Sequence, residues 1–195
     1  MFKIEIDKEL HLELIHSSHI EETFMLIDKN RELFGKWLVW VADTKSIVDT
    51  KEFFDYALKE YANHKNINCM IFYKNQLVGN VGLLNIGKEY GCVKKGEIGY
   101  WLDANFHNKN IVRRAVKKML EIGFYQYDLE KISLRCAVKN ERSCNVAKKL
   151  GFTNEGRFRQ ELCINGVTID ANIYAILKNK FAILLKYPYK KPLKI

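Results

Sequence analysis

Two side chains able to take part in chemistry stand side by side in the stretch Asn140-Glu141-Arg142-Ser143-Cys144-Asn145-Val146-Ala147-Lys148-Lys149-Leu150-Gly151-Phe152. The Ser143 hydroxyl can hydrogen-bond a developing anion, whereas the Cys144 thiol can attack a substrate only as its thiolate. No base adjoins Cys144 in the sequence, so direct attack by one substrate on another is simpler than a covalent cysteine route. The stretch itself reads as a short helix running into a strand. Asn140 can cap its N-terminus, Ser143 falls in its first turn, and Gly151 can adopt the left-handed conformation that closes it before Phe152.

The remaining reactive residues form no obvious site. Five cysteines, at 69, 92, 136, 144 and 163, lack any C-x-x-C spacing and read as free thiols in a reducing compartment. His16 and His19 are three apart, which a helix would bring together, but no partners at metal-ligand spacing accompany them, and no metal is expected. A net charge of +9, from 32 Lys and Arg against 23 Asp and Glu, suits an anionic partner. A nucleic acid, an RNA-rich particle and a polyphosphate cofactor would each satisfy it, and so would a merely lysine-rich composition. No basic helix with interleaved aromatics and no internal repeat gives a direct nucleic-acid motif.

The elements that must position these residues fit one domain over 1–185, followed by a basic tail over 186–195. Of 195 residues only two are proline, Pro188 and Pro192, so no Pro-rich linker divides the chain. No run reaches the ~18 apolar residues needed to span a bilayer, and the first residues alternate like a strand rather than a signal peptide. A cytoplasmic protein with no membrane partner is the expectation. Ile4 to Ile15 alternates as a strand, and two helices follow, with Ile20, Phe24 and Ile27 on one face and then Ser46 to about Tyr61. Cys69–Tyr73 and Leu77–Ile86 read as a hairpin, and Gly96–Leu102 as a third strand. Ile111, Ala115, Met119 and Ile122 form one helical stripe, and Lys131–Val138 is again extended. After the capped helix, Asn165-Gly166 joins Phe152–Ile164 to Val167–Leu177, the strongest short-range hairpin signal. The order is strand, two helices, three strands, helix, strand, helix, hairpin.

With N-x-x-S-x-x-x-A-x-K-L-G-F at 140–152, G-E-I-G-Y-W-L at 96–102, and Asn30-Arg31-Glu32-Leu33 followed by Trp37-Leu38-Val39-Trp40, the chain resembles the GNAT acyltransferases. Within them it is similar to the ribosomal-protein alanine/serine N-acetyltransferase group, over about Leu12 to Leu177. The fold implied is α/β of the α+β kind, with one mixed, mostly antiparallel sheet of about seven strands flanked by about four helices. The activity implied is transfer of an acetyl group from acetyl-CoA to an amine, with CoA as product.

The resemblance also implies roles. Backbone groups of Tyr100, Trp101 and Leu102 would pair with the pantetheine arm. His107, Asn108, Lys109, Asn110, Ile111 and Val112 stand where the family has a glycine-rich pyrophosphate loop, Q/R-x-x-G-x-G/A, so both glycines are asparagines here. Arg113 and Arg114 add positive charge. Asn140 would contact the cofactor arm, Ser143 the CoA sulfur, and Glu97 would act as general base. Asn30, Arg31, Leu33, Trp37 and Trp40 would border the acceptor.

The acceptor is expected to be a protein or peptide N-terminal α-amine. A small amine, such as an antibiotic or polyamine, is the alternative, and a non-catalytic binding or regulatory protein is a third reading suggested by the missing glycines. Relatives often dimerise, so a homodimer is among the expected partners.

Overall fold

The computed structural model describes residues 2–89 and 92–186. One eight-stranded sheet runs in the order β1-β2-β3-β4-β5-β6-β8-β7. Its strands are β1 (Lys3–Glu5), β2 (Leu10–Leu14), β3 (Ile67–Tyr73), β4 (Gln76–Glu89), β5 (Val93–Leu102), β6 (Lys131–Ala137), β7 (Thr153–Ile164) and β8 (Val167–Leu177). The helices are α1 (Ile20–Lys29), α2 (Arg31–Phe34), α3 (Ile47–Ala62), α4 (Ile111–Tyr125), α5 (Glu141–Lys149) and α6 (Lys178–Lys186).

The count exceeds the expected seven strands because the N-terminal alternating run is itself a hairpin. Asp7 breaks it by accepting backbone hydrogen bonds from Glu9 and Leu10, which separates β1 from β2. The helices α2 and α6 are also additions to the expected order. Apart from Lys186, the basic tail lies outside the described residues.

The local signals that fix the other elements are visible as bonds. Ser46 and Asp49 form a reciprocal capping box at the start of α3. Asn140 Oδ1 accepts from the Ser143 amide at 3.2 Å and caps α5, and Gly151 closes that helix at φ +80 with Leu184 of α6 packed against it. Asn165 and Gly166 both have positive φ, 50 and 77, as a tight hairpin turn requires.

The main core lies between the sheet and α4. Ala115, Val116, Met119, Leu120 and Phe124 of that helix are wholly buried, and Phe124 meets Phe181 of α6 at a ring separation of 5.2 Å. On the other face a smaller cluster joins Leu26 of α1 and Phe54 and Ala57 of α3 to Met70 and Leu77.

β5 pairs with β4 along most of its length, from Gly79↔Leu102 to Glu89↔Val93 with one irregularity between Leu84 and Gly87. Its parallel pairing with β6 covers only Lys95↔Lys131, Gly96↔Ile132 and Glu97↔Ser133. Beyond Glu97 the two strands part, while β6 stays paired on its far edge with β8 from Lys131↔Leu177 to Ala137↔Ala171. This parting opens a cleft.

Candidate active site

A cleft of about 1200 Å³ fills the space between the splayed strands. One wall is Ile98, Gly99, Tyr100, Trp101 and Leu102 of β5, and the opposite wall is Leu134, Arg135, Cys136 and Ala137 of β6. Among the described residues, backbone groups on the β6-facing edge of β5 beyond Glu97 have no strand partner there, so they are open to a ligand extended along the cleft.

One end of the cleft is formed by the loop before α4. Asn108 and Asn110 both occupy the left-handed region, at φ 63 and φ 60, so the asparagines hold the conformation that glycine ordinarily supplies. Both line the cleft, together with His107, Ile111, Val112 and Arg113. The first amides of α4 lack intrahelical acceptors and face an anion favourably. Lys109 instead places its Nζ 4.7 Å from the Phe106 ring centroid.

His107 is fixed from both sides. Arg142 Nη1 donates to its Nδ1 at 2.6 Å. An arginine can only donate, so Nε2 carries the proton and donates to the Leu102 carbonyl at 3.2 Å. Burial holds the imidazole below its usual pKa, the Leu102 carbonyl opposes this, and the Arg142 charge adds to it.

Ser143 lines the cleft from the first turn of α5. Its Oγ is 2.9 Å from the Tyr100 hydroxyl, which burial keeps protonated by raising its pKa far above the ordinary phenol value. The Cys136 Sγ lies 3.2 Å from Cys144 Sγ. Burial first, and then the neighbouring Cys144, push the Cys136 thiol up to about 12, which disfavours the thiolate of Cys136.

Glu97 also lines the cleft, at the point where β5 and β6 part. Burial raises its pKa, the Arg135 guanidinium 3.6 Å away works against that, and Glu161 reinforces it. Arg135 makes its shorter bond to Glu161, at 2.8 Å.

The profile of the acetyltransferase (GNAT) domain matches residues 9–153. This chain belongs to the GNAT acetyltransferases. A curated relative is YdaF of Bacillus subtilis (strain 168), provisionally named a ribosomal N-acetyltransferase, which is 30% identical over 183 residues, covering 93% of this chain and 98% of its own length. The ribosomal-protein-serine acetyltransferase of Escherichia coli (strain K12) is 26% identical over 172 residues, covering 88% of this chain and 94% of its own length. Among solved structures, the microcin C7 self-immunity acetyltransferase MccE, in complex with acetyl-CoA and AMP, is 30% identical with a TM-score of 0.82, covering 88% of this chain and 94% of that one. The chain is therefore an N-acetyltransferase with acetyl-CoA as donor.

In this GNAT enzyme another part of the cleft wall is formed by residues 33–40. Leu33, Trp37, Leu38, Val39 and Trp40 line it, with Lys36 beside them and Leu162 of β7 across from them. Phe34 is buried and packs on Trp101 at a ring separation of 5.4 Å. Trp37 and Trp40 do not share a helix face, because Trp37 lies in a turn and Trp40 in a separate 3-10 turn over Val39–Ala42.

Asn30 and Arg31 do not line the cleft. Asn30 is buried, donating to the Leu26 carbonyl at 2.9 Å and accepting from the Ala104 amide at 3.1 Å. Arg31 donates to Asp28 and to the Val41 carbonyl. Both are tied to the segments that carry the cleft wall. Conversely, the Tyr100 hydroxyl, Arg135 and Arg142 enter the site without a local signal, because the strand pairing and α5 bring them there from separate segments. Away from the cleft, Glu13 bridges the buried His11 and His19 at 3.2 and 3.3 Å, a partnership the spacing of His16 and His19 does not reveal.

Among the described residues, no helix is long and apolar enough to cross a membrane.

Proposed function

We propose that this enzyme acetylates the α-amine at a protein or peptide N-terminus by direct attack. The observation that carries the reading is the half-buried Glu97 carboxylate with its raised pKa, set at the parting of β5 and β6. A base of this kind suits an α-amine, whose reference pKa is ~7.8, better than a lysine amine at ~10.4, which would cost ~3.5 kcal/mol more to deprotonate. The names of the two curated relatives point the same way.

Acetyl-CoA supplies the activated acyl group. The open edge of β5 from Tyr100 to Leu102 would receive its pantetheine arm, as would Asn140 at the start of α5. The left-handed Asn108 and Asn110, His107, and the amides of Ile111, Val112 and Arg113 would face its phosphates, with Lys109 adding charge nearby. Glu97 takes the proton from the acceptor ammonium, directly or through water. Ser143 donates a hydrogen bond to the sulfur as negative charge grows there. Leu33, Trp37 and Trp40 would hold the residues that follow the acceptor amine.

A small amine remains a second acceptor class, and one observation favours a nucleotide-bearing member of it. MccE was solved in complex with acetyl-CoA and AMP, and Trp37 and Trp40 offer aromatic faces on which a base could stack. Thiol release from acetyl-CoA against one panel separates the two: peptides beginning with Ser or Ala, the same peptides blocked at the N-terminus, spermidine, an aminoglycoside and an aminoacyl sulfamoyl adenosine. Turnover of free-N-terminus peptides above the other acceptors is expected, with Glu97→Gln slowing it about 10²-fold or more. Preferential turnover of the adenosine compound would overturn the peptide reading.

A further inference from the structure

Among the described residues, the polar contacts of the Tyr100 hydroxyl are both to Ser143: 2.9 Å to Oγ and 3.5 Å to the backbone carbonyl. Two hydroxyls at 2.9 Å can share a proton in either direction, and the directions differ in consequence. If Ser143 donates to Tyr100, its hydrogen is turned away from the cleft. If Tyr100 donates, Ser143 Oγ is occupied as an acceptor and its own hydrogen is left to point toward the cleft, on whose wall the Cys136 sulfur also lies within its reach. A phenol is a far stronger acid than an alcohol, hence the better donor, and an alcohol is the better acceptor. The pair also joins two separate segments, with Tyr100 on β5 and Ser143 on α5.

We infer that Tyr100 is a positioning residue: its O–H donates to Ser143 Oγ and turns the Ser143 hydrogen into the cleft, where the CoA sulfur is to be received. This rests on the Ser143 role proposed above. No bond to carbon is made or broken in the step. Tyr100 keeps its proton throughout, which its burial favours, and Ser143 contributes one O–H donor to the sulfur. Chains of hydroxyls polarise one another, so the Ser143 donor is also strengthened by the one behind it.

The test is an equilibrium one and needs no acceptor. CoA is bound to the protein, and the pKa of its thiol is read from thiolate absorbance in the ultraviolet as pH is raised. A free thiol titrates near ~8.5, and a donor aimed at the sulfur lowers that value in the complex. Ser143→Ala is expected to raise the bound thiol pKa by about one unit. Tyr100→Phe, which removes a single oxygen, is expected to raise it toward the Ser143→Ala value while leaving CoA affinity within about threefold and the melting temperature within a few degrees. In the Ser143→Ala background, Tyr100→Phe should then change nothing, because its effect passes through the missing hydroxyl.

A ring-fluorinated tyrosine at 100, a stronger donor of the same shape, gives a second variant that keeps the packing and should shift the thiol pKa the opposite way from Tyr100→Phe. Equal shifts from Tyr100→Phe in both backgrounds, or no shift from either Tyr100 variant while Ser143→Ala shifts the thiol, would overturn the inference alone. No shift from Ser143→Ala would remove the Ser143 role on which it rests, and the inference with it.

Discussion

Arg142 donates to His107 Nδ1 across 2.6 Å, joining the start of α5 to the loop that precedes α4. The bond needs a neutral imidazole, and burial lowers the His107 pKa from its ordinary 6.5. The unfolded chain therefore takes up the proton first as pH falls. Stability from this group is complete above about 6.5 and is lost as pH drops from there toward the folded value. His19 has a pKa lowered mainly by burial and shares this sign, so the comparison must be with His107→Asn, in which only one of the two remains. Melting temperatures between pH 7.5 and 5 should fall more steeply for the native chain than for the variant. Parallel curves would show that His107 does not contribute.

The asparagine loop yields a prediction with two arms. Asn108 and Asn110 already sit at φ 63 and φ 60, so Asn108→Gly and Asn110→Gly remove only a mild strain and should leave acetyl-CoA affinity unchanged or slightly tighter. Asn110→Val places a β-branched residue in the left-handed region at a cost of roughly 1–2 kcal/mol or more, enough to weaken binding by about tenfold. Calorimetric titration with acetyl-CoA measures both. A loss of affinity in the glycine variants would mean that the asparagine amides themselves touch the ligand.

Arg135 and Glu161 set how much of the burial effect Glu97 retains. Arg135→Met removes the cation that lowers the Glu97 pKa, so the acid limb of kcat/KM should move to higher pH. A base works only when deprotonated, so the variant loses more activity than the native enzyme at pH 6 and little at pH 8. If Glu97→Gln left the same acid limb in place, another group would be the base.

Cysteine chemistry is expected to be silent. The Cys136 thiol, pushed up to about 12 by burial and by Cys144, should resist iodoacetamide at pH 8, while the exposed Cys92 and Cys163 are labelled first. Mass spectrometry of the time course reads the order. Cys136→Ala and Cys144→Ala should each retain acetyl transfer, and loss of turnover with normal folding would revive a covalent route.

Asn30 should matter through packing. Asn30→Ala leaves the Ala104 amide without its acceptor, an expected loss of about 1–3 kcal/mol. For a chain of this size that is a fall of several degrees in melting temperature. Ala104 lies between β5 and the asparagine loop, so acetyl-CoA affinity should weaken as well, whereas a direct acceptor contact would raise the acceptor KM alone.

Much of the fold was legible because its signals are local. The Asn140 cap, the left-handed Gly151, the Asn165-Gly166 turn and the α4 stripe each act within a few residues, and each element they imply is present. The extra hairpin at β1–β2 was not, because alternation continues through the Asp7 turn. Nor was α6, whose position depends on Phe181 reaching Phe124 and Leu184 reaching Gly151, contacts that no spacing along the chain announces.

The candidate site divides in the same way. The sequence by itself determined the family, the donor and the residues at the parting strand, the asparagine loop and the start of α5, because those motifs are contiguous and their backbone geometry follows from residue type. Only the tertiary structure decided what each side chain meets. It turned Asn30 and Arg31 into the frame, put Arg135 between Glu97 and Glu161, locked His107 under Arg142, and brought the Tyr100 hydroxyl to Ser143. The Asn30–Ala104, Glu97–Arg135, Arg135–Glu161, His107–Arg142 and Tyr100–Ser143 pairings join residues 26 to 74 positions apart, and burial shifts the titration of Glu97, His107 and Tyr100; such contacts come from the packing of separate segments rather than from any neighbouring residue type.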